Sequence, residues 1–144
     1  MSTLRYWHHH GGVSVPDLEA SIAWYRDVLG FELEKRFSIA AIPAEVAVLR
    51  NGSLRMELFQ VDRAKPLPAE RREPNADLLT HGNKHLSFAV ENVREFAQTL
   101  RARGADIVWV KEFEFGANIF IRDNSGNLIE FVQSVPPGEI FGRL

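Results

Sequence analysis

Apolar positions along the chain change period in a fixed order, and that order occurs twice. Residues 7–15 read as a strand. From Asp17 the spacing becomes helical, with Leu18, Ile22, Tyr25 and Leu29 on one face, Asp17 placed to cap the start and Gly30 to stop the end. Extended runs over residues 31–37, 45–49 and 54–61 follow, and Asn51-Gly52 between the last two is a hairpin turn signal. After a stretch without sustained periodicity, residues 84–90 read as a strand again. Asn92 then caps a helix carrying Val93, Phe96, Ala97 and Leu100 on one face and ending at Gly104. Strands over 106–110, 118–122 and 128–133 complete the second half, the last pair joined by Asp-Asn-Ser-Gly-Asn. Each half is therefore expected to be β-α-β-β-β.

The halves also align residue by residue. "HHGGVSVPDLEASIAWY" and "KHLSFAVENVREFAQTL" superimpose without a gap, pairing His10 with His85, Val15 with Val90 and Asp17 with Asn92. "MELFQV" pairs with "IEFVQS", setting Glu57 against Glu130. The histidines lie 75 residues apart and the glutamates 73, so two landmarks keep nearly one register. The expected organisation is one domain over residues 1–144: module one at about 5–61, a connector at 62–82, module two at about 83–134, and a tail at 135–144.

Each half thus offers one His on its first strand and one Glu on its last. Packed about a pseudo-twofold axis, His10, Glu57, His85 and Glu130 would converge as two nitrogen and two oxygen donors. That set suits an octahedral divalent ion such as Ni, Co, Mn, Fe or Zn, with two positions open to water or substrate. Strand alternation puts His8 and His10 on one face and His9 on the other, and the repeat selects His10 as the ligand. Glu57 lies between Met56 and Leu58, and Glu130 between Ile129 and Phe131, so each carboxylate faces away from its apolar neighbours.

Composition narrows the partners. A net charge of −2 and the absence of a basic stripe argue against nucleic acid. With no cysteine in the chain, any metal must be held by nitrogen and oxygen. No stretch approaches the ~20 apolar residues needed to span a bilayer, and no signal-peptide pattern opens the chain, so no membrane partner and a cytoplasmic location are expected. Dinucleotide, P-loop, nucleophile-elbow and HExxH motifs are absent.

The stretches "HGGVSVPDLEASIAWYRDVLGFELE", "RMELFQ", "KHLSFAVENV" and "RDNSGNLIEFV" resemble the vicinal oxygen chelate superfamily over nearly the whole chain. The resemblance implies an α+β fold of paired βαβββ modules forming a cupped mixed sheet around a divalent metal. It carries the ligand positions onto His10, Glu57, His85 and Glu130, a set most like the bacterial type of glyoxalase I. Extradiol dioxygenases of the superfamily have no ligand at the Glu57 position, and fosfomycin-resistance enzymes use three protein ligands. Methylmalonyl-CoA epimerases usually carry Gln there.

The implied function is a metal-dependent lyase or isomerase, acting on a small oxygenated substrate through a metal-stabilised enediolate. Glu130 is the first candidate for the base and Glu57 the second. The alternatives are a metal-free drug-sequestering protein of the bleomycin-resistance type, an Fe-dependent ring-cleaving dioxygenase and an acyl-CoA epimerase. A homodimer is the implied assembly. Nothing identifies a glutathione site, and the connector is longer and richer in Pro than the resemblance leads one to expect. His81 reads as a loop residue. Arg71 and Arg72 read as solvated, or as closing over an anionic substrate; Phe59, Phe88 and Phe120 read as core before cavity lining.

Overall fold

The computed structural model describes residues 3–114 and 116–135. It is an α+β protein in which each half is a helix on a four-stranded mixed sheet, and the chain divides into two compact units between Ala64 and Lys65. The tail from residue 136, to which the sequence assigns no role, lies outside the described residues.

The first unit runs β1 (Gly11–Ser14), α1 (Leu18–Leu29), β2 (Glu32–Ile39), β3 (Ala44–Asn51) and β4 (Leu54–Val61), with sheet order β1-β4-β3-β2. β1 and β4 pair in parallel, as a strand-helix-strand path requires, and the other pairs are antiparallel. Asp17 caps α1 by accepting the Ala20 N–H at 3.0 Å, while Gln60 reaches from β4 to accept the Leu18 N–H at 2.7 Å. Two of the four orphan N–H groups at the helix start are thereby satisfied. Gly30 ends the helix at φ 73°, a left-handed conformation suited to glycine.

The second unit repeats the scheme with β5 (Leu86–Val90), α3 (Val93–Ala102), β6 (Asp106–Phe113), β7 (Gly116–Arg122) and β8 (Leu128–Gln133), in order β5-β8-β7-β6. Asn92 caps α3 through the Glu95 N–H at 3.1 Å, and Gln133 accepts the Val93 N–H at 3.0 Å. Gln60 and Gln133 are equivalent in the repeat, so the device was duplicated with the sheet.

Some boundaries differ from expectation. β1 begins at Gly11, not Trp7, because Leu4, Tyr6 and Trp7 are exposed and have no sheet partner to fix an extended alternation. The buried stripe of α1 is Leu18, Ser21, Tyr25 and Val28; Ile22 and Leu29 lie half-buried at its margin. The stripe follows an i, i+3, i+7, i+10 seam, shifted by one residue from the expected face at Ser21 and Val28.

The connector is structured, holding a 3-10 turn (Ala69–Arg72) and a helical turn, α2 (Pro74–Asp77). Buried Asp77 accepts from Arg71 Nε at 2.9 Å and lies 3.3 Å from Lys84 Nζ; Arg71 also donates to the Asn83 carbonyl and Lys84 to the Asp77 carbonyl. Arg122 of β7 adds hydrogen bonds to the Arg72 carbonyl and to Glu73. Arg71 is therefore committed to a clasp inside the second unit, not free in solvent, because a buried carboxylate requires a paired cation.

Burial pushes the Asp77 carboxyl up, but the hydrogen bonds from Arg71 and Lys84 outweigh it and hold it below its ordinary value. A lowered native value means the clasp's stability is present above the ordinary Asp range near pH ~4 and is lost as pH falls through the lowered value. Asp77→Asn should destabilise the protein by about 2 kcal/mol near neutrality. The difference from the parent chain should shrink as acid protonates Asp77, which denaturant melts at stepped pH will show.

Candidate functional site

The apolar pleat decides where the acidic groups point. Met56 and Leu58 are buried against α1 and Gln60 caps it, so Glu57, of opposite parity, projects from the other face of the sheet. Ile129, Phe131 and Gln133 fix Glu130 in the same way beneath α3.

In the first unit, Glu57 meets the residue just before β1: His10 Nε2 lies 2.6 Å from Glu57 Oε2. His10 Nδ1 is 2.7 Å from His9 Nδ1, so one ring donates and the other accepts. These three side chains line a groove of about 360 Å3 with Glu34, Lys35, Phe37 and Arg55. Arg55 grips Glu34 with two hydrogen bonds, 2.9 and 3.2 Å long, and holds its carboxyl below the usual range. Glu34 is thus a wall group whose charge Arg55 pairs.

In the second unit, His85 Nε2 lies 3.1 Å from Glu130 Oε2. Buried Phe120, directly opposite Glu130 in the β7–β8 register, packs edge-on against His85 at 4.7 Å between centroids. Glu130 has further partners: Ser87 Oγ at 3.1 Å and Asn118 Nδ2 at 2.8 Å. Asn118 Oδ1 in turn accepts from Trp109 Nε1 at 3.1 Å. The Lys111 ammonium lies 3.7 Å from the centre of the Trp109 ring.

The two His–Glu pairs have the dimensions of a metal's edge. With metal–ligand bonds of about 2.1 Å, adjacent donors on an octahedron lie roughly 3.0 Å apart. The observed separations of 2.6 and 3.1 Å bracket that value. A carboxylate oxygen only accepts, so without metal each contact needs a proton on Nε2; a cation takes the place of that proton. The nitrogen and oxygen donors suit a borderline divalent ion. Each pair supplies two donors: among the described residues, no group of three or more His, Asp or Glu side chains stands together as a metal cluster.

Other expectations sort cleanly. His9 shares the groove with His10, contrary to the alternation argument; both precede β1, which starts at Gly11, so no sheet pairing imposes alternation on them. His8 and His81 are exposed, and His81 lies in a loop. Phe88 packs on Phe131 at 5.8 Å and belongs to the helix-side core; Phe120 supports the histidine, and Phe59 lies beside Gly12. Arg72 packs along Gly126.

Asn118, Trp109 and Ser87 had no sequence signal from the repeat. Counting back from the Asp123–Asn127 turn would have put Asn118 diagonally across from Glu130.

Comparison with known proteins agrees with the fold. A family model described as the Glyoxalase/Bleomycin resistance protein/Dioxygenase superfamily matches residues 7–131. The mitochondrial methylmalonyl-CoA epimerase of Homo sapiens is 26% identical over 136 residues, covering 88% of this chain and 73% of that protein. A glyoxalase family protein from Enterococcus faecalis superposes with a TM-score of 0.73 at 23% identity, over 88% of this chain and 96% of that one. Glyoxalase I from Zea mays gives 0.68 at 18% identity, over 89% of this chain and 44% of the maize chain. At these identities the two structures speak for the fold.

Because His10 and His85 stand on the open side of their sheets, neither should matter to folding. His10→Ala and His85→Ala are each expected to change the stability of the metal-free protein by no more than about 0.5 kcal/mol, read from chemical denaturation. A loss of several kcal/mol would make them structural residues instead.

Proposed function

The chain belongs to the glyoxalase/bleomycin resistance protein/dioxygenase superfamily, and on that footing we propose that it is a divalent-metal-dependent lyase or isomerase of the glyoxalase I type. The observation that carries this reading is the twice-repeated His–Glu pair, set at coordination spacing on the face opposite the helix. In the proposed site His10, Glu57, His85 and Glu130 together hold one ion per chain in a homodimer, and the ion is Ni, Co, Mn, Fe or Zn.

When bound, such an ion would supply Lewis-acid charge to neighbouring substrate oxygens and so favour the charge of an enediolate, an effect worth several kcal/mol. The protein's own groups do the rest. Glu130 removes the proton from the carbon beside the carbonyl; its orientation is set by Asn118 and Ser87, and a positioned base is an effective one. Glu57, which meets His10 alone among the described residues, is the second carboxylate able to carry the proton. The groove beside it, walled by Phe37 and the neutralised Glu34–Arg55 pair, has the size for a small molecule.

One other reading has a specific observation behind it: the human relative is a methylmalonyl-CoA epimerase. Both reactions begin by removing a proton beside a carbonyl, and they differ in where the proton returns. Glu57, at the position where the epimerases usually carry Gln, favours the lyase.

The deciding experiment measures the metal content of untagged protein, then turnover with the hemithioacetal of a 2-oxoaldehyde and with methylmalonyl-CoA. Chelation should abolish activity and added Ni or Zn restore it. Glu130→Gln and Glu57→Gln should each lower turnover by about 10²–10⁴-fold in folded protein. A chain that takes up no divalent metal would point to sequestration, oxygen uptake with a catechol under Fe(II) to ring cleavage, and full activity in both variants would overturn the mechanism.

A further inference from the structure

The duplication copied the His and the Glu but not their surroundings. Val48 lies opposite Glu57 and Phe120 opposite Glu130, so the sheet registers make Val46 the equivalent of Asn118 and Lys35 the equivalent of Trp109. Likewise Gly12 lies opposite Glu57 where Ser87 lies opposite Glu130. Around the first carboxylate these positions hold no side chain, an apolar one and a flexible ammonium. Around the second they hold a hydroxyl, an amide and an indole, joined in one hydrogen-bonded chain.

The chemistry of that chain runs in one direction. An indole N–H can only donate, so it fixes the Asn118 oxygen toward Trp109 and turns the amide nitrogen toward Glu130. The nitrogen donates to Glu130 Oε1, which selects one carboxylate orientation and leaves Oε2 facing His85 and Ser87. Trp109 is itself held, packed at 5.0 Å on Phe120, the ring that also supports His85.

We propose that Asn118, locked by Trp109, is a positioning residue that sets the orientation of Glu130, making it the rigid carboxylate of the site and leaving Glu57 the mobile one. The proposal rests on the reading of Glu130 as a metal-site residue and adds a division between two carboxylates that the repeat makes look equal.

Asn118→Val installs the side chain found at the equivalent place in the first unit. Nickel affinity, measured by competition with a chromophoric chelator, should fall about 10–100-fold, the usual effect of removing a partner that orients a ligand. Trp109→Phe should weaken nickel binding in the same direction but less, since it frees the amide without deleting it. Melting of the metal-free variants separates this from general loosening; their transitions should stay close to the parent's.

A second readout needs no metal. Glu130→Gln should shift the Trp109 indole N–H resonance in the parent background and leave it unmoved in the Asn118→Val background. Nickel affinity unchanged in Asn118→Val, or an indole signal indifferent to Glu130, would overturn the proposal. Should the parent protein itself bind no nickel, the metal-site reading fails, and the indole resonance alone decides whether the relay exists.

Discussion

A single alternation of side chains governs the chemistry available to this protein. On β4 and β8, residues that bury against the helix are interleaved with one carboxylate each, and the helix-side contacts of Met56, Leu58, Ile129 and Phe131 make any other register unaffordable. A slip of one residue would bury Glu57 or Glu130 and expose the core. Gln60 and Gln133 reinforce the phase, since each reaches the start of its helix only if the glutamate three residues earlier faces away. The acid groups are thus placed by hydrophobic burial, and they remain accessible because burial spends itself on the opposite face.

From that constraint follows the partnership with histidine. The parallel pairing of the first strand with the last brings the residue at the start of one strand beside the middle of the other, so His10 meets Glu57 and His85 meets Glu130 by the same geometry. The two units then diverge. One surrounds its carboxylate with an open groove walled by the paired Glu34 and Arg55; the other surrounds it with directed hydrogen bonds and a buried aromatic support. Duplicated scaffolds with unequal surroundings can give two identical functional groups different duties.

The βαβββ order, both helix caps, the turn at Asn51-Gly52 and the two His and two Glu residues that form the observed pairs are legible in the chain because each is periodic or occurs twice. What repetition reveals, it also limits. Asn118, Trp109 and Ser87 carry no repeat signal because their counterparts are Val46, Lys35 and Gly12, which share no chemistry with them. Alternation does not orient His9, which lies upstream of Gly11, where no neighbouring strand enforces it. The connector was recognisably aperiodic, but its clasp joins Arg71, Asp77 and Lys84 through irregular backbone, where spacing carries no geometric meaning.

In the proposed site two imidazoles and two carboxylates serve one ion. X-ray absorption at the nickel edge of the nickel-loaded protein tests it most directly. Six nitrogen and oxygen neighbours at about 2.1 Å, with the outer-shell scattering of two imidazole rings, are expected. Scattering from one ring or none in fully loaded protein would contradict it.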